Sequence, residues 1–204
     1  MTTIRAKTRI PLSGVSSTTV FYAFEGLEHR DHFAVRFGEP SELPLVRIHS
    51  ECVTGDVFGS LRCDCGSQLQ NAIGMLDEQS GWLLYLRQEG RGIGLAAKLQ
   101  AYALQEQGLD TFEANVRLGF AEDARRYHDA AAMLRALGQP AVRLLTDNPE
   151  KVQALRAEGI AVAAAVACTG IPNRFNAAYL DAKRERSRQL RQAGGSLAGT
   201  RTEA

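Results

Sequence analysis

Several features that would classify the 204-residue chain at a glance are scarce or missing. Charge of one sign is not in excess: 24 Lys and Arg face 23 Asp and Glu, a formal net charge of +1. No global field therefore draws the chain to nucleic acid or to a membrane surface. No apolar run approaches the ~18 residues of a membrane span. The opening MTTIRAKTRI has no apolar core of a secretory signal. A cytoplasmic protein is expected, with neither membrane nor nucleic acid as partner. Internal repeats are missing, and no Pro/Gly linker divides the middle of the chain, so one domain is expected over residues 1–192. Cysteines number only four. In a reducing compartment they stay thiols, which excludes a disulfide framework.

Stretches rich in β-branched or aromatic residues predict strands at 19–24, 32–37 and 43–49. Leu69, Ile73 and Leu76 give a helix over 67–79, followed by a strand at 82–86. Leu95, Leu99 and Tyr102 mark a helix ending near Gly108. The spacing of Tyr127, Ala131, Leu134 and Leu137 predicts a helix over 124–137. A strand at 142–146, a helix at 149–158, a strand at 160–167 and a polar helix at 176–192 complete the pattern. The tail at 193–204 has the composition of a disordered segment. Strands crowd the first half and alternate with helices later. The expected class is α+β: a mixed sheet, partly barrel-like, with helices packed around it.

Three of the four cysteines, Cys52, Cys63 and Cys65, fall within fourteen residues. Cys-x-Cys is not the Cys-x-x-Cys of thioredoxin-like chemistry. It suits thiolates converging on one soft cation, and three protein ligands plus one open corner is the arrangement of a catalytic zinc. His49, three residues before Cys52, could close such a site as a fourth ligand. The bland alternative is three buried, inert thiols. Cys168 reads as a small core residue.

"RIHSEC" puts Arg47, His49, Ser50 and Glu51 at a strand end, where ligand-contacting groups often lie. "RQEGRGIG" sets Arg87, Glu89 and Arg91 among three glycines before a helix, a turn whose amides favour anions. It lacks the Gly-Lys-Ser/Thr ending of a Walker loop and could equally be a plain turn. "LLTDNPEK" brings Thr146 and Lys151 to a strand end and a first helical turn. Asp123 and Arg125 would point about 200° apart on a regular helix. They can face one site only if the helix starts beside them and 119–123 is loop; otherwise they are surface charges. The Arg-rich stretch 183–191 contains Glu185 and no interleaved aromatics, so it reads as a solvated helix face.

Taken together, "RIHSECVTGDVFGSLRCDCGSQL", "YLRQEGRGIGLAAKLQAYALQEQGLDTFEANVRLGF" and "VRLLTDNPEKV" closely resemble the GTP cyclohydrolase II family, most densely over 44–151. The resemblance implies a zinc-dependent enzyme that also uses magnesium. It would release formate from C8 of GTP, and pyrophosphate, leaving 2,5-diamino-6-(5-phosphoribosylamino)pyrimidin-4-one for riboflavin biosynthesis. By the same resemblance the zinc ligands are Cys52, Cys63 and Cys65. The nucleotide contacts are Arg47, Ile48, His49, Ser50, Glu51, Gln68, Glu89, Gly90, Arg91, Thr111, Thr146 and Lys151. Asp123 is the implied proton acceptor, Arg125 the implied nucleophile and Tyr102 a further catalytic residue. Glu89 is a candidate acceptor for the guanine N1–H and 2-amino group. A homodimer is implied as well. An attacking Arg125 sits awkwardly with a guanidinium pKa above ~12, and charge stabilisation at the α-phosphate is the alternative. The family's N-terminal Leu-Pro-Thr segment appears loosely as "RIPLSG", and "VACTGIPNRFNAAYL" departs from the usual loop. Two other functions compete: a paralogue that stops at the formamide, against which Tyr102 weighs, and a zinc/GTP-binding sensor without turnover. Intact Asp123, Arg125 and the three cysteines weigh against the sensor.

Overall fold

The β-branched and aromatic stretches become β1 (Thr3–Arg9), β2 (Thr19–Glu25), β3 (Phe33–Phe37), β4 (Leu45–Ser50), β5 (Gly81–Leu86), β6 (Ala141–Leu145) and β7 (Ala161–Val166). In this computed structural model residues 1–121 and 123–195 are described, apart from the side chains at 111, 112, 178, 187 and 190–195. The strands form one sheet in the order β1-β2-β3-β5-β4-β6-β7. Neighbours from β1 to β5 run antiparallel, while β4 lies parallel to both β5 and β6, and β6 parallel to β7. Gly81 marks where β5 starts against β4: a Cβ there would sit 2.2 Å from Leu45 O, so only glycine permits the approach.

Side chains alternate across the sheet, as strand geometry demands. Val46, Ile48, Trp82 and Leu84 enter one core, with Met133, Leu134 and Leu155 from helices α5 (His128–Ala136) and α6 (Pro149–Ala157). Leu45 and Leu83 enter the other, with Leu69, Ala72 and Leu76 from α2 (Cys65–Gln79). The remaining helices are α1 (Val53–Asp56), α3 (Leu95–Gln105), α4 (Thr111–Arg117) and α7 (Ala177–Gly195), with a 3-10 turn at Glu89–Gly92. None of the described helices is long and apolar enough to cross a membrane.

The α+β class and mixed sheet match expectation. The partly barrel-like shape does not: among the described residues the sheet stays open, with β1 and β7 as its edges. Closing it would require those two strands to pair. The β1 strand escapes sequence reading because all seven of its residues are exposed, so no buried face imposes a pattern. The helix predicted over 124–137 begins only at His128. Residues 193–195 continue α7, and 196–204 of the expected tail lie outside the described residues.

His32 fastens β3, the exit of β5 and α5 together. Its Nδ1 accepts from Arg87 N at 3.0 Å, and its Nε2 lies 3.5 Å from Asp129 Oδ2. Burial opposes its charged form, and although Asp129 and Asp31 work the other way, with His29 and Arg87 adding to the burial effect, the pKa falls from 6.5 to about 4. The unfolded chain then binds the extra proton between those values, so stability is lost as pH falls through that window, by up to ~1.4 kcal/mol per pH unit. His32→Gln can keep the hydrogen bond from Arg87 N and the contact with Asp129 without titrating. Urea unfolding between pH 7 and pH 4 should show this slope in the wild type and a flatter one in the variant.

Candidate active site

The three motifs picked out in sequence are the exits of three adjacent parallel strands. "RIHSEC" leaves β4, "RQEG" leaves β5 and "TDNPEK" leaves β6. Because parallel strands end on the same side, Arg47, Ser50, Arg91 and Lys151 line one pocket with Gln68, Asp123, Arg125 and Thr146. Arg47 is buried and donates to Leu145 O at 3.0 Å and Gln68 Oε1 at 2.7 Å. Thr146 Oγ1 accepts from Asn148 N at 3.0 Å, and Asn148 caps α6 through Glu150 N at 2.9 Å, with Pro149 at the first helical position. This capped turn aims Lys151 into the sheet edge, where Nζ donates to Ile48 O at 2.9 Å. Burial, helped by Arg47, Arg125 and Lys183, pushes the Lys151 pKa well below its ordinary value. A polyanion in the pocket would oppose that push. Ile48 is fully buried in the core, so only its backbone is available to a ligand.

His49 does not join the cysteines. Its Nε2 lies 3.1 Å from both carboxylate oxygens of Asp56, whose Oδ2 also accepts from Tyr85 OH at 2.8 Å and Cys52 N at 3.0 Å. Burial keeps the imidazole neutral by lowering its pKa. The sulfurs of Cys52, Cys63 and Cys65 all lie within 4.8 Å of one another, the first two 3.6 Å apart. Tetrahedral ligands ~2.3 Å from zinc stand ~3.8 Å apart, so the cluster fits that ion with three ligands and leaves one corner open. Gly55 makes room for the cluster: a Cβ there would lie 3.1 Å from Cys52 Sγ and 3.2 Å from Cys63 Sγ. Hydrogen bonds from Cys63 and Cys65 favour the thiolate at Cys52; those same hydrogen bonds, with burial behind them, push the Cys63 thiol up to about 11 and the Cys65 thiol well above its ordinary value. A dication among the sulfurs reverses that cost. Cys168 keeps its bland role, buried with its thiol donating to Gln68 O at 3.6 Å.

The turn after β5 carries left-handed backbone at Gly90 (φ 62°) and at Arg91 (φ 63°), a strained conformation for a non-glycine residue. The turn packs on residues 123–127 through Ala124 N to Arg91 O at 3.0 Å, and Gln88 holds Arg126 from both sides. That leaves Arg91 Nη1 3.4 Å from Asp123 Oδ2. Asp123 and Arg125 satisfy the condition set by sequence, since both precede α5 and face one site. Arg125 Nε donates to Asp123 Oδ1 at 2.9 Å and Nη2 to Oδ2. Burial opposes the Asp123 charge, but Arg125 and Arg91 outweigh it and hold the carboxyl below its ordinary value. Burial likewise opposes the charge on Arg125, yet the two-pronged Asp123 carboxylate keeps the guanidinium protonated.

Tyr102 lies with the cysteines in the adjoining pocket, its ring covered by Arg62 at 4.5 Å. Glu51 pairs with Arg87 at 2.8 Å. Glu89 lines the same pocket as the cysteines and is buried: Oε2 accepts from Val53 N at 2.6 Å, and Oε1 from Gly90 N at 2.7 Å and Lys98 Nζ at 2.9 Å. Thr111 opens α4, but its side chain lies outside the described residues. Sequence reasoning overlooked Lys98. It is buried, and its Nζ also donates to Cys52 Sγ at 3.0 Å and Thr54 Oγ1 at 2.9 Å. It also overlooked Tyr179, Lys183 and Arg186 of α7, which line the cation-rich pocket.

The cysteine geometry predicts one zinc per chain. Titration against a chromogenic chelator should show Cys65→Ser binding zinc at least 100-fold more weakly than wild type. Lys98→Met, which removes the cation beside a thiolate ligand, should cost roughly 10- to 100-fold. Full affinity in Cys65→Ser would contradict the site.

Comparison with known proteins bears on the family. The family profile of GTP cyclohydrolase II matches residues 4–167. A protein of Psychromonas ingrahamii named GTP cyclohydrolase-2 is 46% identical over 188 residues, which are 90% of this chain and 94% of that one. One of the same name from Shewanella loihica is 52% identical over 166 residues, 79% of this chain and 81% of that one. Another from Azospirillum brasilense is 50% identical over 186 residues, 89% of this chain but 48% of its own length. The chain belongs to the GTP cyclohydrolase II family of enzymes.

Proposed function

We propose that the protein hydrolyses GTP with zinc and magnesium, releasing formate from C8 and pyrophosphate, and leaving the diaminopyrimidinone used for riboflavin. The observation that carries this reading is the continuity of two chemically distinct pockets. The thiol-lined pocket and the cation-lined pocket share Ser50, Cys65, Arg91, Arg125 and Tyr179, so one nucleotide can present its purine to one and its phosphates to the other. Zinc held by Cys52, Cys63 and Cys65 would supply Lewis acidity and hydroxide at neutral pH.

The chain's own groups divide the remaining work. Tyr102, kept protonated by burial, is placed to donate or relay a proton beside the cysteines. Arg47, Arg91, Arg125 and Lys151 stabilise the charge that develops on the leaving pyrophosphate, with magnesium on the triphosphate. The buried Ser50 Oγ and His49 Nδ1, without protein partners among the described residues, suit polar contacts to the nucleotide. The two-pronged Asp123 pair supports Arg125 as a fixed cation at the α-phosphate, with Asp123 orienting it and available as proton acceptor. We carry over the family's homodimer and a cytoplasmic location; four unbridged thiols suit the latter.

Purified protein incubated with GTP and magnesium should yield one formate and one pyrophosphate per GTP. A formylated product without free formate, or GTP binding without turnover, would contradict the proposal. Variants separate the two chemistries. Arg125→Ala should lower pyrophosphate release by roughly 10²-fold or more. Arg125→Lys should keep measurable turnover, and Tyr102→Phe should slow formate release more than pyrophosphate release. A phosphate-labelled enzyme trapped at Arg125 would overturn the charge-stabilising role.

A further inference from the structure

Helix α7 lies beyond the stretch matched by the family profile, which ends at residue 167. Its composition reads as a solvated face, and one side is that: Arg184 pairs with Asp181 at 3.2 Å and Arg188 with Glu185 at 2.7 Å, all exposed. The other side is not. Tyr179, Lys183 and Arg186 recur at i, i+4 and i+7, one stripe of a helix, and all three line the cation-rich pocket opposite the strand exits. The stripe is held there at two points. Asn176, fully buried at the head of α7, donates through Nδ2 to Ile171 O at 3.1 Å and Cys63 O at 3.5 Å. Lys183 Nζ then pairs at 2.9 Å with Asp64 Oδ2, a buried carboxylate between two of the cysteines.

The charge count in the pocket points the same way. Arg47, Arg91, Arg125 and Lys151 come from the sheet side, against the carboxylates of Asp123, Asp147 and Glu150. Those four cations meet three anions, too small a surplus for a triphosphate with one magnesium. Lys183 and Arg186 add two cations and the Asp64 carboxylate paired with Lys183 takes one back, so the surplus rises from one to two. Arg47 and Lys151 are buried at the pocket floor, whereas the Lys183 side chain is 30% exposed at the rim. The Lys183 charge therefore meets a ligand from the solvent side of the pocket.

Resting on the function proposed above, we propose that α7 forms the outer wall of the nucleotide site, with Lys183 and Arg186 binding the terminal phosphates of the triphosphate. Tyr179, which lines both pockets, stands between this wall and the cysteines.

The test measures displacement of a fluorescent guanine nucleotide from the zinc-loaded protein by a non-hydrolysable GTP analogue and by GMP. Lys183→Ala and Arg186→Ala should each weaken the analogue about 10-fold while changing GMP less than twofold, because GMP carries no terminal phosphates. Lys183→Arg should restore affinity for the analogue. Arg184→Ala and Arg188→Ala, which remove the same charge from the outward face, should change neither ligand. Arg186→Ala leaves the Asp64 contact intact and so separates phosphate binding from helix anchoring. Unchanged affinity for the analogue, or equal weakening for both ligands, would overturn the inference. A wild-type protein that binds neither nucleotide would instead overturn the proposed function itself.

Discussion

In a parallel pair both strands deliver their following loops to the same edge of the sheet. Strand β4 has two parallel neighbours, with Ser50 aligned to Leu86 of β5 and Val46 to Leu144 of β6. Every group at the site inherits its place from that pairing. Were β4 antiparallel to either neighbour, one of the three motif loops would lie at the far end of the strand, about 20 Å away for six residues. The pairing is secured from both faces, since the side chains of Leu45, Val46 and Ile48 are at most 1% exposed. It leaves no room for error at Gly81, where any side chain would strike the Leu45 carbonyl.

The two halves of the site impose opposite electrostatic demands, and one carboxylate holds the boundary. Glu89 accepts from Val53 N, at the start of the cysteine loop, and from Lys98 on α3, while its own backbone begins the turn that carries Arg91. Lys98 in turn reaches Cys52. A single buried charge pair thus couples the cysteine loop to the turn at Glu89–Gly92. Breaking it by removing one partner would leave the other charge buried and unmatched, which costs several kcal/mol in proteins generally. On the other flank, Asp123 braces Arg91 and Arg125, so these two cations are fixed before any ligand arrives. Fixed donors and charges lower a barrier without reorganisation at the moment of reaction.

Much of this was legible in the sequence because the chemistry-bearing residues cluster locally. The cysteines lie within fourteen residues, and the strand-exit motifs announce themselves by pattern. What escaped notice is non-local. Lys98 meets Cys52 across 46 positions and Lys183 meets Asp64 across 119, and no periodicity encodes such contacts. The stretch at 183–191 shows the solvated face its composition suggests at Arg184, Glu185 and Arg188, while composition alone does not separate Lys183 and Arg186, which line a pocket. Asp123 and Arg125 were ambiguous for a definite reason: Tyr127 and Ala131 extend a helical pattern backward, while Gln88 and Arg91 hold residues 124–126 as loop. The hydrogen bonds from Val53 N and Lys98 to Glu89 were equally invisible, because they span 36 and 9 positions with no shared period.

The central claim is that one continuous pocket sets a purine against the three sulfurs and its triphosphate against the cations. Zinc-edge anomalous diffraction from crystals grown with a non-hydrolysable GTP analogue tests it most directly. The account predicts a single zinc peak among Cys52, Cys63 and Cys65, C8 of the purine facing it, and the phosphates running past Arg125 and Lys151. A purine lodged at Lys151 with its phosphates toward the cysteines, or zinc bound elsewhere, would contradict it.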